Sequence, residues 1–274
     1  MRLALAQQCT LADRHTNVER ALDAMDRAAD AGASVICFPE LAVDRFFPQH
    51  PHDPSAAACA ERVPGPTTER IAAKARSRAL VTVFNLYEED ADGRRYDASP
   101  VFDADGTLLG VTRMVHITDY ACFHERAYYH PGDRGAPVYP TAAGRIGVAI
   151  CYDRHYPEYM RALGVAGAQV VVIPQAGVLD EWPEGLYEAE VRAAAFQNGY
   201  FAALCNRVGE EERLTFAGES FVVDPAGKVV ARGARGAEDL VVVDLDLTAC
   251  DRSPARTLFF RDRRPELYAG WLRS

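Results

Sequence analysis

Gly147-Val-Ala-Ile-Cys151-Tyr-Asp-Arg-His-Tyr-Pro157-Glu158 is the stretch on which the reading of this chain turns. An uncharged apolar run stops abruptly at a thiol, polar residues follow, and a proline then opens a helix. That is a buried strand delivering Cys151 to its carboxyl end, where crevices form in α/β sheets. The same grammar occurs earlier, in Val35-Ile-Cys-Phe-Pro-Glu40. A carboxylate placed directly after a hydrophobic strand is partly desolvated, which raises its pKa toward neutrality and suits a general base. By residue type alone, a cysteine in an apolar strand is more often packing, and a strand-end glutamate more often solvated or capping. Cys37, followed by Phe-Pro rather than polar residues, is read as core. His50-Pro-His52-Asp53 lacks a third metal ligand, and Cys151 meets His155 only if the turn between them is helical.

Outward from these segments the chain alternates strands and helices. Leu3–Ala6 reads as a strand, and Thr16 or Asn17 as the cap of a helix with Val18, Leu22, Met25 and Ala29 on one face. Gly32 stops it before the strand Ser34–Phe38. Thr67–Arg78 reads as helix and Leu80–Leu86 as strand, with turns at Asp92-Gly93 and Asp103–Gly106. Gly144–Ile150, Gln169–Ile173, Tyr200–Leu204 and Leu240–Val243 read as strands. Pro157–Gly164 and Leu186–Gln197 read as helices, Pro131–Pro140 as loop, and Asp224–Gly227 as a hairpin turn. No linker interrupts the pattern, so one layered α/β domain over 1–274 is expected.

Composition narrows the function. The formal charge is −9, and lysine is confined to Lys74 and Lys228, which argues against nucleic acid as a partner. No apolar run approaches a membrane span, and no glycine-rich phosphate loop is present. The seven cysteines are scattered and odd in number, so a reduced, cytoplasmic protein is the expectation. No metal or organic cofactor is indicated.

On these residues the chain resembles the nitrilase superfamily of carbon-nitrogen hydrolases over nearly its whole length. Phe38-Pro-Glu40 is similar to the family's catalytic-glutamate motif, and Gly147–Glu158 to its nucleophile motif. Glu125, in His124-Glu-Arg-Ala-Tyr-Tyr-His-Pro-Gly132, matches a second glutamate of the family pocket. Asn206–Gly209, Gly218–Ser220, Asp224–Gly227 and Arg261–Tyr268 also fit, the last being similar to the branch of N-carbamoylputrescine amidases and β-ureidopropionases. The resemblance implies a four-layer α-β-β-α sandwich that forms a homodimer or larger homo-oligomer through helices near the nucleophile. It also implies a Glu–Lys–Cys site that hydrolyses a small amide or N-carbamoyl substrate through an acyl-enzyme. Cys151 would attack and Glu40 relay the proton, with the Tyr152 N–H as oxyanion donor and a following helix N-terminus lowering the thiol pKa. Phe47, His124, Gln175 and Trp182 are expected to border the substrate.

One position departs from the family. Its lysine lies in a motif reading roughly Arg-Lys-x-His, and here Arg113-Met114-Val115-His116-Ile117 holds the register with methionine in the lysine's place. Without the cation, Glu40 is expected to titrate higher still. Three readings stay open. In the first, an amidase uses Arg113, His116, Arg154 or a substrate cation instead. The second is acyl transfer or deformylation on an activated substrate, and the third a weakly active, inactive or disabled member that binds a ligand.

Overall fold

The structure is a computed structural model describing residues 1–271; the last three residues of the expected domain lie outside the described residues. Strand β1 (Arg2–Gln7) shows the principle of the fold, because its alternate side chains serve two cores. Leu3 and Leu5 face a second sheet, whereas Ala4 and Ala6 face helices. Helix α1 (Arg14–Asp30) is capped by Asp13, whose carboxylate accepts the Thr16 N–H at 2.8 Å. The cap therefore lies upstream of the expected Thr16 or Asn17. Asn17 is inside the first turn, and its amide donates to the carbonyls of Leu11 and Val43.

The chain continues through β2 (Val35–Cys37), α2 (Pro66–Arg78), β3 (Val81–Val83), β4 (Leu86–Glu89), β5 (Arg95–Phe102) and β6 (Leu108–Arg113). The single strand expected over Leu80–Leu86 is thus two. Phe84-Asn85 breaks it, and the Asn85 side chain turns inward to bond other elements. β1, β2 and β3 are parallel neighbours, with the antiparallel β5 and β4 beyond them.

The second half supplies β7 (Val138–Thr141), β8 (Gly144–Val148), α3 (Pro157–Val165), β9 (Val170–Gln175), α4 (Leu186–Asn198), β10 (Phe201–Asn206), β11 (Val208–Glu210), β12 (Thr215–Ala217), β13 (Phe221–Val223) and β14 (Val229–Arg232). Part of the expected loop 131–140 is the edge strand β7, where Pro140 is tolerated because an edge leaves one side of the ladder open. β8, β9 and β10 run parallel in the order β14-β13-β10-β9-β8-β7. β15 (Asp239–Asp244) returns to the first sheet and pairs antiparallel with β1. Two helices that the sequence pattern did not announce, α5 (Thr248–Arg252) and α6 (Pro265–Trp271), end the described chain.

The result is a four-layer α-β-β-α sandwich. Leu3, Val35, Val81, Val148, Val172 and Ala203 interdigitate between the sheets. α1 and α2 cover the outer face of the first sheet, and α3 and α4 that of the second.

Arg207 bolts the two halves together. Fully buried just past β10, it donates through Nη1 to the carbonyls of Glu40, Leu41 and Asp44 at 3.0, 2.8 and 3.0 Å, and it pairs with Glu211. Arg207→Ala strands a buried carboxylate and frees three carbonyls. It should cost about 3–5 kcal/mol in urea unfolding; an unchanged midpoint would show that the bolt is ornamental.

Candidate active site

Both reactive segments leave parallel strands through a strained residue. Cys151 itself has φ +41°, and Leu41, directly after Glu40, has φ +46°. Left-handed conformations of non-glycine residues cost about 1–3 kcal/mol each, and here they swing a thiol and a carboxylate off stiff strand ends. A 3-10 turn over Cys151–His155 then leads into α3. The reactive atoms of Glu40, Cys151 and Glu125 all lie within 4.8 Å of one another. Glu125 arrives on a 3-10 turn of its own, and its Oε2 accepts the Thr118 N–H at 3.2 Å.

The thiol is almost sealed, at 5 % exposure, whereas Glu40 and Glu125 are fully buried. Gln175, at the end of β9, donates through Nε2 to Cys151 Sγ at 3.3 Å. The opposite end of that amide accepts from Arg154 Nη1 at 3.1 Å, and the same nitrogen donates to the Cys151 carbonyl. The Arg154 guanidinium lies over the Tyr187 ring, 4.3 Å from its centroid.

Electrostatics follow from dry packing of like charges. Burial, helped by the neighbouring Glu125, pushes Glu40 up to about 7. Burial holds Glu125 well above the usual carboxylate range. The Cys151 thiol is pushed well above its ordinary value by burial and the two glutamates, against the weaker pull of Arg154 and the Ala176 N–H. The thiol-acidifying helix terminus expected from the sequence is therefore overridden: the resting nucleophile is S–H and needs a base at the moment of attack.

The remaining expected residues are placed as follows. Met114 is fully buried among apolar side chains, its N–H on the Asp97 carbonyl at 2.9 Å. Arg113 is bidentate to buried Glu88 at 2.7 and 2.8 Å and reaches Asp133, so its charge is committed there. His116 Nδ1 is 2.7 Å from Asp153, and its ring stacks on Tyr156 at 3.5 Å. The Tyr152 ring packs against His155 and Tyr156. Phe47 packs against Tyr87, Tyr128 and Tyr129, and His124 Nδ1 sits 3.1 Å from Asp119. His155 is turned to Glu190, at 2.8 Å, rather than to Cys151. Trp182 borders a cleft of about 510 Å³ beside the loop after β9, together with Gly177, Glu181, Tyr187 and Asn206. Neither Cys151 nor the two glutamates line that cleft.

Asp97 on β5, fully buried within hydrogen-bond reach of Glu40, escaped the sequence reading. Strand alternation carried a signal, since Asp97 shares its face with Val101, which packs between the sheets. By residue type Glu40, Glu125 and Cys151 could ligate a divalent ion, and they are the only such group among the described residues.

A family model described as carbon-nitrogen hydrolase matches residues 2–255. The chain belongs to that family. It is 32 % identical over 269 residues to an N-carbamoylputrescine amidase of Arabidopsis thaliana, covering 93 % of this chain and 90 % of that one. A carbon-nitrogen hydrolase from Helicobacter pylori G27 superposes with a TM-score of 0.93 at 27 % identity, covering 100 % and 98 % of the two chains. A mutant of the Nesterenkonia sp. AN1 amidase, solved in complex with butyramide, matches with TM-score 0.83 and 30 % identity over 99 % and 97 %. Fold and Cys–Glu site together make this carbon-nitrogen hydrolase an amidase-type enzyme.

Because the base form of Glu40 must accept the thiol proton, reactivity of Cys151 should rise with pH through about 7. Carbamidomethylation followed on the Cys151 peptide reads this limb, and Glu40→Gln should abolish it. Stability runs the other way. A folded-state pKa above the model value of 4.5 means that the native state binds extra protons between 4.5 and about 7, and loses stability across that window as pH rises. Glu40→Gln should therefore raise the melting temperature more above this window than below it; the opposite ordering would contradict a buried, elevated carboxyl.

Proposed function

We propose that the enzyme hydrolyses a small amide or N-carbamoyl compound through a Cys151 acyl-enzyme, with Glu40 as general base and Met114 at the position of the family's lysine. The single observation that carries the reading is the convergence of the Cys151 thiol and the elevated Glu40 carboxyl in one sealed pocket. Glu40 takes the thiol proton as sulfur bonds to the carbonyl carbon, and the Tyr152 N–H meets the oxyanion. As the C–N bond breaks, Glu40 returns the proton to the departing nitrogen, leaving a thioester or its carbamoyl analogue. Glu40 then deprotonates a water that releases the acyl group and restores the thiol. A simple amide, as in the butyramide complex of a relative, and a carbamoyl amine, as in the name of another, present the same carbonyl to the thiol.

Met114 leaves the oxyanion one charged donor short, which corresponds to about 2.7–4 kcal/mol, or roughly 10²–10³ in rate. On a panel of short aliphatic amides and N-carbamoyl amines, ammonia release should vanish in Cys151→Ala and increase by about 10²-fold in Met114→Lys. Release that survives Cys151→Ala would remove the nucleophile from the scheme. An unimproved Met114→Lys protein would show that the position no longer limits the rate.

We also infer a homodimer through the α3 and α4 side of the molecule. Val165, Phe196, Leu258 and Phe259 are exposed on these helices and the turn after α5, with Phe196 and Phe259 ring to ring at 5.6 Å. Sedimentation should give twice the chain mass, and Phe196→Glu should shift it toward the monomer.

A further inference from the structure

In the pocket described above, both oxygens of Glu40 and Oδ2 of Asp97 are buried and lack any ordinary hydrogen-bond donor. Glu40 is fully buried, and the groups facing it and Asp97 are Glu125, the Cys151 thiol, the unpartnered Tyr129 hydroxyl and, farther off, Asp153; no lysine or arginine side chain among the described residues pairs with its carboxylate. Arg207 stands behind it, spent on backbone carbonyls and Glu211. Two carboxylates within hydrogen-bond reach cannot both be ionised in such a place, and the question is which one keeps the proton.

Asn85 answers it. Its Oδ1 accepts the Leu41 N–H at 2.6 Å, which fixes the orientation of the amide. Its Nδ2 therefore faces Asp97 Oδ1 at 2.6 Å and Ser99 Oγ at 3.0 Å. Asp97 Oδ1 is thereby an acceptor, and Oδ2 is the oxygen left to carry a hydrogen. Glu40, unlike Asp97, must be free to receive the thiol proton.

We propose that Asp97 is a positioning residue held as the neutral acid, its Oδ2–H donating to the Glu40 carboxylate. The proposal rests on Glu40 being the base of the reading above and deepens it. Glu40 then receives a hydrogen from Asp97, which matches Asp97 Oδ2 with one orphan Glu40 oxygen and leaves the carboxylate, within 4.8 Å of the Cys151 Sγ, free to take the thiol proton during attack. The Asp97 proton stays in place throughout. Only the thiol proton moves, to Glu40 and onward to the leaving nitrogen. A neutral donor thus lowers the Glu40 pKa in a site that lacks a cation, and burial together with Glu40 itself keeps the Asp97 proton on.

The test reads protons rather than turnover, so it does not depend on any substrate. Iodoacetamide labelling of the Cys151 peptide is followed by mass spectrometry across the pH range in the parent, Asp97→Asn and Asp97→Val. Asparagine keeps a neutral donor toward Glu40, and its labelling midpoint should stay within about half a pKa unit of the parent. Valine removes the donor, and the midpoint should move up by about one unit, a roughly tenfold slower labelling on the acid side. An ionised Asp97 predicts the reverse, with both variants moving the midpoint down, and that result overturns the proposal.

Infrared spectra at neutral pH give a second reading. The parent-minus-Asp97→Asn difference spectrum should contain a protonated-carboxyl band beyond anything Glu125 and Glu40 contribute to both proteins, and its absence overturns the proposal as well. If Glu40→Gln labels like the parent, the general-base reading fails, and the infrared band alone then decides the state of Asp97.

Discussion

A fully buried carboxyl with no cation on it is the constraint around which this site is arranged. Moving an ionised carboxylate out of water costs several kcal/mol unless donors replace the lost hydration, and Glu40 has none from a basic side chain. The fold cannot relieve the cost by opening, because Glu40 sits where the carboxyl ends of two parallel sheet segments meet. Arg207 clamps its loop from the opposite sheet. The remaining way to lower the cost is to keep the proton count of the pocket high. Glu40, Glu125, Asp97 and the Cys151 thiol are all displaced upward, so at neutral pH the pocket holds far less charge than its four acids suggest.

The same arithmetic bears on the methionine that follows β6. The Met114 backbone ties β6 to β5 and to Gly132, whatever its side chain is. A linear apolar side chain fills the space between the sheets at little structural cost. On the proposed reading, in which this is the position of the family's lysine, the fold survives the exchange and the protonation states of the neighbouring acids absorb the lost charge.

Legibility in the sequence tracked locality. β8 and β2 announced themselves because a run of apolar residues and its reactive terminus are contiguous, and Gln175 could be placed because it ends a strand of the same kind. The layered α/β architecture followed from the same alternation. Asp97 was invisible because its partners, Glu40 and Asn85, lie on other elements and its own strand looks ordinary. Asn85 was hidden inside what read as one strand, and only the side chain's inward bonds make Phe84-Asn85 a break. At α1, Asp13, Thr16 and Asn17 all suit a cap. The choice among them was settled by Asn17 being drawn to the Leu11 and Val43 carbonyls. Arg113 and His116 kept the register of their motif in sequence, yet in space each is absorbed by an acid, Glu88 and Asp153 respectively.

Strain and protonation act on the same two corners. The left-handed residues at Leu41 and Cys151 are held by bonds to side chains from elsewhere: Asn85 and Arg207 grip Leu41, and Arg154 grips the Cys151 carbonyl. Asn85 thus performs two tasks with one amide, fixing the turn that aims Glu40 and orienting the acid that donates to it. Any loosening of that amide would disturb geometry and proton affinity together. In this site the position of the base and its strength are set by a single network, so neither can drift without the other.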